Sequence, residues 1–272
     1  MKKQLLAALF AAALIAPAVA EDQVPPPALK WSFAGPIGKY NEAQLQRGFK
    51  IYREVCSNCH SLNLLSFRNL ADAGGPGFSE AQAAQIASEY KINDVDDSGQ
   101  PNQRAGRPTD HFPAPFANEL QAKAANGGTA PPDMSTLAKA RTYSRGFPWF
   151  VVDAFTQYQE QGPDYIAALL KGYKDPPPKG ANIPQGGHYN EYFPGHAIAM
   201  PPPLVTDGQV KYDDGSPETL DQYSKDIAAF LEWAAEPHLV ARKRIGFQVI
   251  LFLLVLSGLL YFTKKKVWSA VH

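Results

Sequence analysis

Both cysteines of this 272-residue chain lie within five residues of each other, in Cys56-Ser57-Asn58-Cys59-His60. C-x-x-C-H is the attachment signature of a c-type haem. Two thiols three residues apart can each form a thioether to one vinyl group of a porphyrin, and the adjacent imidazole is then held beneath the ring as an iron ligand. A redox C-x-x-C pair would sit near a βαβ pattern, and none is visible. A zinc site would need a second Cys or His pair at short spacing, which the chain lacks. Such a chain is organised by its prosthetic group as much as by its secondary structure, in keeping with 24 prolines among 272 residues. At 45% apolar content it is neither a disordered chain nor a disulfide-stapled miniature.

The two ends stand apart from this domain. Residues 1–20 read as a cleaved export signal: Lys2 and Lys3, an apolar run from Leu5 to Ala16, and the small-residue site Ala18-Val19-Ala20. Ile245 to Thr263 carries no charge and, at ~1.5 Å per residue, matches the ~30 Å hydrocarbon core of a bilayer. Basic triplets bracket it, Arg242-Lys243-Arg244 and Lys264-Lys265-Lys266. The expectation is therefore a leader over 1–20, a periplasmic haem domain over 21–241, a membrane anchor with its basic lead-in over 242–263, and a cytoplasmic tail over 264–272. That places the protein in the inner membrane, single-pass, in contact with lipid.

Net charge over the whole chain is zero, with 26 basic and 26 acidic residues, which argues against a nucleic-acid partner. The zero is an average of unlike parts. Residues 21–241 hold 18 Lys and Arg against 26 Asp and Glu, so the exported domain carries −8. Acidic groups gather at Glu89, Asp94, Asp96 and Asp97, and again at Asp207, Asp213, Asp214, Glu218, Asp221 and Asp226. Such a field draws in a basic partner in a salt-dependent way, or simply keeps the domain soluble.

The iron needs a sixth ligand or else an open site. Met200, in Ala199-Met200-Pro201-Pro202-Pro203, is the favoured candidate, because the prolines after it fix φ and stiffen the loop that carries the sulfur. Met134 and the histidines His111, His188, His196 and His238 are its rivals; His272 would lie across the membrane. Helices are expected from Asn41 into Cys56, with a Leu45, Phe49 and Tyr52 stripe, and from Ser79 to about Tyr90. Others run from Pro148 to about Glu160, from Pro163 to Lys171, and from Ser216-Pro217 to Pro237. Gly48 would let the last of these cross the first closely. Little strand pattern is visible, and the Pro/Gly-rich stretches 99–115, 126–132, 174–187 and 194–203 read as loops over a cofactor.

Taken together, several segments resemble the cytochrome c1 family in its alpha-proteobacterial form. They are Arg47-Gly48-Phe49 leading into the C-x-x-C-H turn, Asp110-His111-Phe112-Pro113, Ala124-Ala125-Asn126-Gly127-Gly128 with Pro131-Pro132-Asp133, and Ala140-Arg141. Tyr192-Phe193-Pro194-Gly195, Ile198-Ala199-Met200-Pro201-Pro202 and Trp233-Ala234-Ala235-Glu236-Pro237 complete the match, which covers essentially all of 30–270. The resemblance implies a mainly α fold: a c-type cytochrome haem domain with long Pro/Gly-rich loops on one C-terminal transmembrane helix. It implies one haem c bound through Cys56 and Cys59, with His60 and Met200 as axial ligands and a pocket including Asn126, Pro131, Pro132 and Arg141, the last facing a propionate. It further implies an electron-transfer subunit of the quinol–cytochrome c oxidoreductase, the cytochrome bc1 complex, with no substrate site of its own. Its partners would be cytochrome b, the Rieske iron–sulfur protein and a soluble cytochrome c, in a dimeric complex. A tethered carrier for a terminal oxidase, or a haem enzyme with an open distal site, are the alternative readings.

Overall fold

The computed structural model describes residues 23–269 apart from 144, 147, 157 and 159. The expected leader over 1–20 and the last three residues, His272 among them, lie outside the described residues. The fold is mainly helical. Asn41 accepts a hydrogen bond from the Gln44 amide and starts α1, Glu42–Glu54, which buries Leu45, Gly48, Phe49, Ile51 and Tyr52. Ser79 and Gln82 form a reciprocal capping box at α2, Glu80–Ser88. α3 is Glu119–Ala125, α4 Leu137–Ala140, α5 Trp149–Thr156 and α6 Gln161–Lys171, the last closed by Gly172. α7, Leu220–Ala235, is the hub and packs on α1, α4 and α6.

α7 starts later than expected. Its N-cap is Thr219, two residues beyond Pro217, because the Asp207 carboxylate holds the Leu220 amide there at 2.8 Å. It is also buried on nearly every side from Tyr223 to Ala234, since three helices enclose it. The crossing with α1 is as close as Gly48 suggested. A Cβ on Gly48 would stand 2.2 Å from the Asp226 carbonyl oxygen and 2.6 Å from Phe230 Cβ. We expect Gly48→Ala to force the helices apart and lower unfolding free energy by about 1–3 kcal/mol, measurable as a fall in the denaturant midpoint.

Beside the glycine, Arg47 Nε donates to Asp226 Oδ2 at 2.8 Å and Nη2 to Oδ1 at 3.1 Å. Tyr212 Oη and Gln222 Nε2 donate to the same carboxylate, which has no exposed surface. Around this pair Phe49, Tyr52, Phe112 and Phe230 form an aromatic core, with Phe49–Phe230 centroids 5.8 Å apart.

The structure corrects the loop reading of 99–115 in part. Lys91–Val95 (β1) and Pro101–Ala105 (β2) pair as an antiparallel hairpin, Asn93 opposite Gln103, turning through Asp96 to Gln100. A second short pair joins His188–Tyr189 (β3) to Ala197–Ile198 (β4). α8, Leu239–Trp268, runs unbroken for 30 residues, and its apolar stretch lies wholly exposed, long enough to cross a membrane. It begins six residues before the uncharged run at Ile245.

Candidate functional site

α1 delivers the cysteine turn directly. After Glu54 the chain tightens into a 3-10 turn over Cys56–Asn58, with the Cys59 and His60 amides both donating to the Cys56 carbonyl at 3.1 and 2.9 Å. Residues three apart nearly eclipse one another in such a turn, so the two free cysteines share one edge. Cys56 is half-buried and burial pushes its thiol up to about 12, whereas Cys59 is exposed.

His60 is 8% exposed, and its Nδ1 lies 2.8 Å from the Pro132 carbonyl oxygen. A carbonyl only accepts, so Nδ1 carries the proton and Nε2 keeps its lone pair. Burial also holds the imidazole below its ordinary value, outweighing the Pro132 hydrogen bond and the Asp133 charge. Neutral imidazole with a pinned ring is what an iron ligand requires.

The segment Pro132–Ser135 is stapled to the histidine turn by residues outside the C-x-x-C-H motif. Asp133 accepts from Ser61 Oγ at 2.7 Å, from the Asn63 amide at 2.8 Å and from the Ser135 amide at 2.9 Å. The Met134 amide donates to the Ser61 carbonyl, and Ser135 Oγ accepts from the Leu64 amide. Burial alone would raise the Asp133 carboxyl, but the hydrogen bonds from Ser135, Asn63 and Ser61 outweigh it and hold the group below the ordinary carboxylate range. Its stabilising contribution is therefore complete above the unfolded value near ~3.9 and is lost as pH falls through the folded value. Asp133→Ala should cost about 2 kcal/mol at neutral pH. The gap to the wild type, followed by thermal unfolding, should close on acidification below about pH 4.

The sixth-ligand candidates lie in different surroundings, with His188 half-buried at the start of β3. Met134 is a core residue at 7% exposure. His111 and His238 are exposed, and His196 stacks on Tyr189 with centroids 5.5 Å apart. Met200 is half-buried just beyond β4, on a loop held by more than its prolines. Tyr173 Oη donates to the Met200 carbonyl at 3.1 Å, and Gln209 Nε2 donates to the Pro203 carbonyl at 2.9 Å. The fully buried Asn190 ties that loop to α6, donating to the Leu169 carbonyl at 2.7 Å and accepting from the Tyr192 and Phe193 amides. Tyr173 and Asn190 carry no motif of their own; their role is set by partners up to 27 residues away.

The other pocket candidates hold their places through their own elements. Asn126 closes α3, its Nδ2 donating to the Ala122 carbonyl at 2.7 Å. Pro131 is half-buried beside Pro132. Arg141 caps α4, is exposed, and makes no ion pair among the described residues, so its guanidinium is available to an external carboxylate. No three His, Cys, Asp or Glu side chains among the described residues gather as a bare metal ion would demand. Two free thiols on one edge, a neutral imidazole with an open Nε2, a thioether on a braced loop and an unpaired guanidinium do fit a c-type haem.

The acidic clusters look different in three dimensions. Glu89 pairs with Arg53, Asp94 with Arg104, Asp213 with Lys50, Glu218 with Lys211, and Asp221 with both Lys171 and Lys225. Much of the local charge is thus met by the domain's own cations, and the excess acts as a diffuse field.

A helical domain of this kind, built on a C-x-x-C-H turn and carried by one apolar helix, has the make-up of a membrane-anchored c-type cytochrome. Residues 31–271 match the Cytochrome C1 family. The chain is 59% identical over 266 residues to "Cytochrome b/c1" of Bradyrhizobium diazoefficiens, covering 97% of this chain and 39% of that protein. It therefore spans well under half the length of that relative. It is 50% identical to "Cytochrome c1" of Blastochloris viridis, covering 96% of this chain and 92% of the relative. To "Cytochrome c1, heme protein, mitochondrial" of Saccharomyces cerevisiae it is 39% identical, covering 97% and 79%. The chain belongs to the Cytochrome C1 family.

Proposed function

We propose that the chain is the haem c subunit of a quinol–cytochrome c oxidoreductase, taking one electron at a time from a Rieske iron–sulfur protein and passing it to a soluble cytochrome c. The observation that carries this reading is the His60 ring, pinned at Nδ1 by Pro132 and bare at Nε2. Haem c supplies the one-electron iron couple, with a potential raised by His and Met ligation. Cys56 and Cys59 would anchor it, His60 and Met200 would ligate it, and Arg141 would meet a propionate in a charge-assisted pair. Asn126, Pro131 and Pro132 would form the pocket wall. With His60 and Met200 both holding the iron there would be no place for a substrate, and the chain's own task would be to keep those two side chains in place as an electron arrives and leaves.

The domains 21–241 and 242–263 would sit on the periplasmic side and in the inner membrane respectively, with cytochrome b as the membrane neighbour in a dimeric complex. Purification in mild detergent followed by addition of a quinol tests the assignment. Co-purifying b-type haem and reduction of the c-type haem by quinol support it; a c-type haem that emerges alone and ignores quinol would sink it. The net charge of −8 on residues 21–241 adds a kinetic expectation. The second-order rate of electron transfer to a basic cytochrome c should fall by roughly tenfold or more between low and physiological ionic strength, as read by stopped-flow spectroscopy.

A further inference from the structure

Where the haem domain meets α8, a recess is lined by Phe33, Lys139, Glu160, Glu232, Arg242 and Lys243, with Leu239 beside them. It holds about 50 Å³ of open room, enough for about four water-sized groups. Glu232 comes from α7 and is 2% exposed. Its Oε1 accepts from Lys139 Nζ, but Oε2 has no hydrogen-bond partner. A buried carboxylate oxygen left bare is costly, and burial, only partly offset by Lys139, pushes this carboxyl up to about 7.

The cations around it are not equivalent. Lys139 also reaches Glu236 at 3.2 Å, and Arg242 Nε donates to Glu236 at 2.6 Å. Among the described residues Lys243 Nζ donates to the Phe33 carbonyl, at 2.5 Å, and makes no ion pair with a carboxylate, although the Glu160 charge acts on it across the recess. Lys243 stands two residues before the uncharged run that begins at Ile245. That is the level of lipid headgroups when the apolar run fills the hydrocarbon. The recess thus offers a bare carboxylate oxygen within and, at the membrane surface, a cation that makes no ion pair among the described residues.

We propose that this recess seats the headgroup of an amine-bearing phospholipid, with its ammonium on Glu232 Oε2 and its phosphate on Lys243. An ethanolamine arm matches both the room and the polarity. Its ammonium brings N–H donors to the bare oxygen, whereas the trimethylammonium of a choline lipid brings none and is bulkier. The inference rests on α8 lying in a bilayer and not on the direction or partners of electron transfer.

The test is native mass spectrometry of the full haem-loaded chain released from nanodiscs of mixed phosphatidylethanolamine and phosphatidylcholine. One phosphatidylethanolamine should be retained per chain, enriched over phosphatidylcholine by about tenfold, the factor one charge-assisted hydrogen bond commands. Glu232→Gln and Lys243→Gln should each return the retained lipid to the bulk ratio while the visible haem spectrum stays unchanged. Lys243 lies at the rim, so its variant gives an answer even where Glu232→Gln disturbs folding. Equal retention of both lipids by the wild type, as with a recess that holds only water, would overturn the proposal. So would undiminished enrichment in Lys243→Gln. A chain that retains the lipid yet ignores quinol would leave this site standing and remove the electron-transfer assignment.

Discussion

Met200→Leu should lower the midpoint potential by a few tenths of a volt, a large part of the roughly 0.8 V that axial ligation commands, and so stall quinol-driven turnover. The substitution keeps volume and apolarity, so stability should change by less than about 1.5 kcal/mol. The loop backbone is held independently of the side chain, by Tyr173 at the Met200 carbonyl and by Gln209 at Pro203. What is lost is the sulfur alone. A spectroelectrochemical titration of the purified chain reads the effect directly. Met134→Leu is the matched control: that side chain is packed in the core and should leave the potential where it was. An unchanged potential in Met200→Leu would remove Met200 from its assigned role.

Arg47→Ala should be the most damaging single change to the fold away from the haem. Asp226 has no exposed surface and takes two hydrogen bonds from the guanidinium. Removing one partner of a buried ion pair leaves an uncompensated charge, which costs about 3–5 kcal/mol. At roughly 2–4 °C per kcal/mol for a domain of this size, the melting temperature should drop by about 6–20 °C. The Tyr212 and Gln222 donors that remain place the expected value toward the lower end. Arg47→Ala combined with Asp226→Leu should recover part of the loss, because the charge goes with its partner; failure to recover would show that Arg47 acts through packing on Tyr212 instead.

Features with local signatures were legible in the sequence. Asn41 and the Ser79–Gln82 box cap the helices they were expected to cap, Gly172 ends α6, and Gly48 marks the crossing. The hairpin was not legible, because a polar ribbon exposed along both faces has no alternation to read: β1 runs Lys-Ile-Asn-Asp-Val with only Ile92 partly covered. α3 and α4, of seven and four residues, are too short to show a period. At the candidate site the cysteines and the histidine announced themselves by spacing. Asp133, Tyr173 and Asn190 did not, since an aspartate acting 72 residues from Ser61 leaves no trace in local pattern. The acidic clusters were visible as composition, but their neutralisation by Lys50, Arg53 and Arg104 depends on the fold.

The junction between α7 and α8 sets how the domain can move. α8 is 30 residues long, about 45 Å, and the hydrocarbon accounts for about 30 Å of that. The first turns therefore stand clear of the bilayer core as a short stalk. That stalk is clamped: Leu239 is buried against the domain, Arg242 is paired to Glu236, and Lys243 holds the Phe33 carbonyl. A domain clamped to its own anchor in this way is not free to swing about the junction. In the function proposed above it would serve as a fixed relay post at constant height above the lipid, and the travelling in any exchange of electrons would fall to what comes to it.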